Sequence, residues 1–538
     1  MAIIERIKKF MNELTTRTAA ATGAEVRSIF DLEGVPAYNE FYNIGIVPWK
    51  CLYKGFYKPW HYILAPTIAD PDHHRNMAYL SLAKAVCSEL AGMVWTDQCE
   101  VDVASAGYEG EEEDPLNAFV QEVLQKNNFN RTMRDAVEKA AALGGEAMKC
   151  WRSVRYDADG NEIPGSERIR LGFAMADQFV PTGWDVADVD AGIFVTRQAR
   201  GGWYYTLLEW HEWDGTTYVI RNELYRSEIK RGGVGEDQDI LGMRYPLAAL
   251  YPHLDEETRI QVEKSLFTYF RTPTANNIDD NSPLGVSIYA NAMETLHAID
   301  IVFDSFVREF RLGKKRIIVP ARMIRQVTDP LTGRQLRYFD ATDETYEALS
   351  TDDPDTLKIQ DNSVTLRVEE HVAALNAFLN IFCLQVGLSA GTFSFDAAEG
   401  LKTATEVVSE NSKTYKTVKN YQNQITPAIE HLVRAIIDVA SLYDMTTEDG
   451  QKVSQLAAGG YEVKVTLDDG ITQDRQTNIN EGITLVGAGL MSKKTFLTDP
   501  KYGQNLTEED AEAELQRIRE ENTITMPQLD VRDFNGIE

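Results

Sequence analysis

Few side chains in this sequence stand at spacings that could do chemistry. His211-Glu212-Trp213-Asp214-Gly215 holds the first His and the Glu of a helical zinc-hydrolase motif. The second His, which would complete the metal pair one turn on, is missing. Asp157-Ala158-Asp159-Gly160 opens like a calcium loop without the remaining ligands, so turn chemistry explains it. Five cysteines (Cys51, Cys87, Cys99, Cys150, Cys383) are scattered without metal-ligand spacing and read as buried free thiols in a reducing compartment. There is no glycine-rich phosphate loop, no dinucleotide fingerprint and no nucleophile elbow, and the eight histidines do not cluster. With 83 acids against 54 bases and a net charge of −29, paired carboxylates are solvated surface. The expectation is a protein without catalysis, cofactor or metal.

The elements that would position such residues carry more information. At 538 residues, 43% hydrophobic and 10% aromatic, the chain is globular and long enough for several domains. Its acidity repels nucleic acid wherever bases are not locally concentrated. "MAIIERIKKFMNEL" spaces its apolar residues as a helix that docks on the rest of the protein; a membrane-surface helix is the other reading. "LNAFLNIFCLQVGL" is too short and interrupted to span a bilayer.

Residues 1–130 read as mostly helical, and Gly144-Gly145 ends the last of these helices. From about 150 to 230 the period changes to two, with hairpins turning at Asp159-Gly160 and Asp214-Gly215. A long helix then opens with Ser282 as N-cap and Pro283 at its first position and closes on Gly313, roughly 45 Å in all. Tyr289, Leu296, Ile299, Phe303, Phe306 and Phe310 line its apolar face, and Asp304 pairs with Arg308. A shorter, more apolar helix spans 367–387.

Between the two helices, 314–366 is polarised and reads as a small α/β module. Its first half is basic (Arg316, Arg322, Arg325) and its second acidic (Asp352, Asp353, Asp355). Either the halves neutralise each other within one chain or they meet head-to-tail between neighbours in a closed ring. Residues 402–424 form a helix that is polar almost all round. "PAIEHLVRAIIDVASLY" is plainly amphipathic, and Pro427 between them predicts a bend near 423–427. A strand "GYEVKVTL" and three helices follow, the last starting at Thr507 with Asp510 completing a capping-box pattern, before a disordered tail from 522.

"FTYFRTPTANNIDDNSPLGVSIYANAMETLHAIDIVFDSFVREFRLGKKRIIVP" with "GLKTATEVVSENSKTYKTVKNYQ" resembles the portal protein of long-tailed double-stranded DNA bacteriophages, the siphovirus type of Gram-positive hosts. "PWKCLYKGFY", "RNMAYLSLAKAVCSELAGMVW", "FNRTMRDAVEKAAALGGEAMK" and "YYTLLEWHEW" are similar to that family too, in colinear order over most of 40–520. The resemblance implies an α+β, mainly helical portal fold: an N-terminal arm (1–40), a wing (41–281), a stem helix (282–313), a clip (314–366), a second stem helix (367–387), a tunnel loop (388–401), a channel-lining helix running into the wing (402–470), a crown (471–521) and the tail.

It also implies a ring of twelve copies at one capsid vertex of the virion, assembled in the host cytoplasm away from any membrane. Double-stranded DNA would pass through it, and terminase large subunit, a head-completion adaptor, and the major capsid and scaffolding proteins would be its partners. Another large non-enzymatic virion or scaffold protein would share the acidity but not the helix-flanked insert. Twelve channel helices about 10 Å apart make a circle of roughly 38 Å, wide enough for a duplex.

Under this resemblance Lys402, Lys413, Lys416 and Lys419 either give weak phosphate contacts or pair with Glu406, Glu410 or a neighbour's acids. Phe393, Ser394 and Phe395 lie in the tunnel loop, the phenylalanines either touching DNA or tucking against the stem. Gly391 and Gly400 are its hinges, and the arginines and aspartates of 314–366 are candidate clip contacts.

Overall fold

The computed structural model describes residues 25–36, 42–66, 70–108, 114–157, 159–185, 188–229, 240–313, 317–318, 325–328, 335–338, 360–361, 365–395, 404–467, 475–499, 502 and 508–524. The expected N-terminal helix, Gly400, Lys402, Thr507, Arg316, Arg322, Asp352, Asp353 and Asp355 lie outside these residues. The fold is mixed α and β. It divides into one unit of 1–397 with 417–467 and a second of 398–416 with 468–538.

In the first unit, helices α1 (Leu82–Val94), α2 (Pro115–Lys126) and α3 (Phe129–Leu143) carry apolar stripes at three- and four-residue spacing, and each stripe is buried. Asp114 caps α2 by accepting the Leu116 N–H, with Pro115 at the first helical position. Between α1 and α2 lies β1 (Glu100–Ser105), a strand within the stretch read as helical. Its partner is β9 (Tyr461–Thr466), far along the chain.

Gly144 ends α3 in the left-handed region at φ +96°, and the chain turns at once into β2 (Gly145–Ser153). β2 pairs with β3 (Arg168–Met175), turning near Gly160, and on its other edge with β8 (Phe267–Arg271). The larger sheet is a meander of β4 (Phe179–Asp185), β5 (Asp188–Arg200), β6 (Trp203–Asp214) and β7 (Thr217–Glu228). β6 and β7 make the expected hairpin, with Gly215 at φ +64°.

The segment expected to start the long helix does not do so. Ser282 accepts the Leu284 N–H in a local turn, and 284–289 runs buried alongside the end of α3: the Ile288 N–H reaches Ala141 O (2.9 Å), and Thr272 Oγ1 donates to Val286 O (2.6 Å). Leu284, Val286 and Ile288 alternate as a strand does, and their burial overrides the Ser-Pro capping signal. Tyr289 therefore precedes the helix, with its hydroxyl donating to Trp49 O. The helix itself, α4, spans Met293–Leu312, about 30 Å rather than 45 Å.

α5 (Val368–Val386) returns antiparallel to α4 and stops at Gly387 in the left-handed region, φ +81°. α6 (Ala404–Leu442) follows, and from Val418 on it contributes Ile425, Ile429, Leu432, Val433 and Ile436 to the core. It is one helix, uninterrupted at Pro427. That proline is exposed, so the Asn423 carbonyl it leaves unpaired can meet solvent, and Thr426 Oγ1 donates to Gln422 O. In the second unit are α7 (Arg475–Gly487), α8 (Lys493–Thr498), capped by Ser492, and α9 (Glu508–Ile524), which runs two residues past the start of the expected disordered tail.

Among the buried ionisable groups is an acid in the core. Glu146, on β2 between Phe270 and Met175, is fully buried, and among the described residues neither carboxylate oxygen has a hydrogen-bond partner. Burial, with Asp177 adding to it and Lys139 opposing, pushes its pKa well above the usual carboxylate range. An acid whose folded pKa is raised gives full stability below its unfolded value and loses it as pH climbs towards the folded one. Glu146→Gln should match the wild type near pH 4 and melt a few degrees higher at pH 8, as read by thermal scans across pH.

Candidate nucleic-acid interface

The helical hairpin is fixed to the rest of its unit by acids on its buried side. Asp304 takes both guanidinium nitrogens of Arg75, Nη1 at 2.8 Å and Nη2 at 2.5 Å, and the Ala78 N–H at 3.0 Å. Burial pushes the Asp304 carboxyl up, but Arg75 and the Ala78 N–H outweigh it and hold the pKa below the usual range. One turn earlier, Asp300 accepts the Leu80 N–H (3.0 Å) and lies 3.1 Å from His61 Nε2. Asp304 thus pairs chiefly with Arg75, not with Arg308 as its spacing suggests.

At the other end of α4, Glu309 takes the backbone N–H and guanidinium of Arg367 and lies 2.6 Å from His371 Nε2. Arg367 and then His371 hold its pKa at about 2. Leu296 and Ile299 are buried in the core, and Phe303 and Phe306 are partly buried. Phe306 lies against the His371 ring, centroids 5.1 Å apart. Phe310, expected in this packing, is 48% exposed and touches only the edge of the seam through Phe306.

Beyond α5 the chain doubles back along the helix it has left. The Gly391 N–H donates to Asn380 Oδ1 and the Phe395 N–H to Asn376 Oδ1, each at 3.0 Å, so two amides one turn apart hold the loop's ascending arm. Gly391 sits at φ +84° with open space where a side chain would stand. Phe393 packs on the core, whereas Phe395 is 55% exposed, so only the first tucks. Ser394 is exposed. Thr417 Oγ1, on α6, donates to Gly387 O at 2.6 Å.

On α6, Lys416 and Lys419 are exposed one turn apart, Lys413 is half-buried, and Val418 is buried. Phe395 thus offers an exposed ring on a loop held by Asn376 and Asn380. Of the insert, the structure describes short pairings of Ile317–Ile318 with Gln360–Asp361 and of Arg325–Thr328 with Gln335–Tyr338. Arg325 begins one of these strands.

The two chemistry-like motifs are structural. His211 is buried in β6, with Nε2 2.8 Å from Glu209 and Nδ1 2.6 Å from the Tyr218 hydroxyl. Burial lowers its pKa against the pull of Glu209. Asp157 Oδ1 accepts the N–H groups of Asp159 and Asn161, closing a turn. Among the described residues no group of three or more His, Cys, Asp or Glu could hold a metal, and no helix is long and apolar enough to cross a membrane. Sequence reasoning missed the Asp300–Asp304 anchor; its available signal was two acids one turn apart on the apolar side of an amphipathic helix.

The described residues form a mixed α/β scaffold with a helical hairpin and, on α6, exposed lysines. The sequence matches the family described as phage portal protein, SPP1 Gp6-like, over residues 48–527. The chain belongs to that family, whose members are structural and non-catalytic components of a capsid vertex. No curated protein matches the sequence. A solved structure described as the neck of an empty GTA particle computed with C6 symmetry aligns at 11% identity and a TM-score of 0.38, covering 90% of this chain and 98% of that one.

Proposed function

We propose that the chain forms a homo-oligomeric ring of twelve copies at the portal vertex of a long-tailed phage of a Gram-positive host, through which double-stranded DNA enters and leaves the capsid. The observation that carries this reading is the order of parts: two antiparallel helices flank an insert containing strands, and a loop and a 39-residue helix follow directly. In this reading 41–281 is the wing, the helical stem is 293–312 with 368–386, and 314–366 is the clip that docks terminase and then the head-completion adaptor. Residues 388–401 are the tunnel loop, the first half of α6 lines the channel, and 471–521 is the crown. Capsid and scaffolding proteins surround the ring. Gly391, Gly400 and Pro427 are its points of flexure. Negative-stain microscopy of the purified chain should show rings with a central hole; monomers with a cleft would overturn the reading.

Lys413, Lys416 and Lys419 offer the passing duplex weak phosphate contacts inside an acidic protein, which keeps DNA from adhering. The Lys413→Gln, Lys416→Gln double variant should change packaging rate several-fold and flatten its dependence on salt. An unchanged rate and salt slope would remove these lysines from the DNA path.

A further inference from the structure

α5 is apolar on two opposite sides. Leu375, Leu379, Phe382 and Val386 face the core and are buried. Opposite them Ala373, Ala377 and Ile381 are exposed, Ile381 by 47%, with Glu370 one turn before them. A helix apolar on both faces is one that is covered on both faces in its working state.

α4 shows a matching exposed strip of Ile301 (46% exposed), Ser305, Arg308 and Leu312 (56%). This strip forms one wall of a groove of about 780 Å³, closed on the other side by Ile63 and Met77. The contacts between the helices set their relative height. Glu309 meets Arg367 and His371, and Phe306 meets His371. Because the helices are antiparallel, Arg308 is then level with Glu370, Ser305 with Ala373, and Ile301 with Ala377.

Rotation about an axis lying along these helices preserves height. In a ring whose axis runs along the helices, each group on the outer face of α5 meets its level counterpart on α4 of the next copy: an arginine meets a glutamate, and an isoleucine meets an alanine that leaves it room. We propose that the groove beside α4 is the seat of the neighbouring subunit's α5, with Arg308 of one copy paired to Glu370 of the next. This rests on the ring reading above and identifies the surfaces that close the ring. The interface is heterologous, so it closes only as a ring.

The test uses the full chain and measures oligomer mass by mass photometry at low salt. Arg308→Glu and Glu370→Arg should each weaken ring formation about tenfold through like-charge opposition, with unchanged circular dichroism and melting temperature. Mixed in equal amounts, the two singly substituted proteins should recover rings. Alternating copies then set the introduced glutamate against the introduced arginine at one contact, and the native Arg308 against the native Glu370 at the next. A pair within one chain could not achieve this. Rings from either single variant at wild-type yield, or a mixture that fails to recover, would overturn the proposed interface while leaving the ring itself standing. A wild-type chain that forms no rings would overturn the ring reading and this one with it.

Discussion

Gly144→Ala is expected to leave little or no soluble protein. A Cβ at this position would stand 2.1 Å from Gly285 O and 2.5 Å from its carbon, and the position needs φ +96°. The obstacle is backbone, so no side chain can rotate aside, and Gly285 meets the reciprocal bar at 2.1 Å from Gly144 O. Left-handed strain alone costs about 1–2 kcal/mol; displacing a buried segment raises the total above about 4 kcal/mol, in the range that unfolds marginal domains. Gly107→Ala isolates the strain, since Gly107 sits at φ +80° with nothing within 4 Å. It should fold and melt only slightly lower. Equal soluble yields for the two variants would show that the crossing of 144 and 285 is not tight.

Asp304→Ala should cost about 3 kcal/mol, measured by denaturant unfolding at pH 7. Breaking a buried ion pair leaves the partner charge uncompensated, and the usual range is about 3–5 kcal/mol. The low end applies because the Arg75 side chain keeps 24% of its surface exposed. The carboxyl's folded pKa lies below its unfolded value near 3.9, so its contribution is present above that value and is lost as pH falls through the folded one. The variant's deficit should therefore shrink in acid. Replacing Arg75 and Asp304 together by Met and Leu should recover most of the loss, since a packed apolar pair avoids both desolvation costs. A single variant as stable as the wild type would mean that the apolar packing of α4 alone anchors the hairpin.

Local periodicity made much of this fold legible. The helices 82–94, 115–126 and 129–143, the hairpin at Gly215, the strand at 461–466 and the apolar run of α6 all announce themselves within a window of a dozen residues. What stayed hidden depends on residues far away. β1 is held by β9, more than three hundred residues on. Ser282-Pro283 has the chemistry of a helix start, yet two residues on, Gly144 lies across Gly285, and only an extended chain threads the gap. Asp304 has an arginine at i+4, but Arg75, far back along the chain, wins because its guanidinium forks onto both oxygens. At the candidate interface, residue types were legible and directions were not: Phe393 and Phe395 look alike in sequence, yet Phe393 packs on the core while Phe395, its N–H held by Asn376, stays exposed.

The contact between Glu309 and Arg367 bears on how such a chain can diverge. Because the first residues after α4 and the last before α5 are held against each other, with Leu366 beside Gly313, the insert enters and leaves the body through a single narrow doorway. Whatever lies beyond that doorway can lengthen, shorten or change its charges without altering the path of the two helices, since the closure is made on the near side. Some fifty residues can thus vary as an exchangeable cassette, while the helical frame that carries them stays under separate constraint.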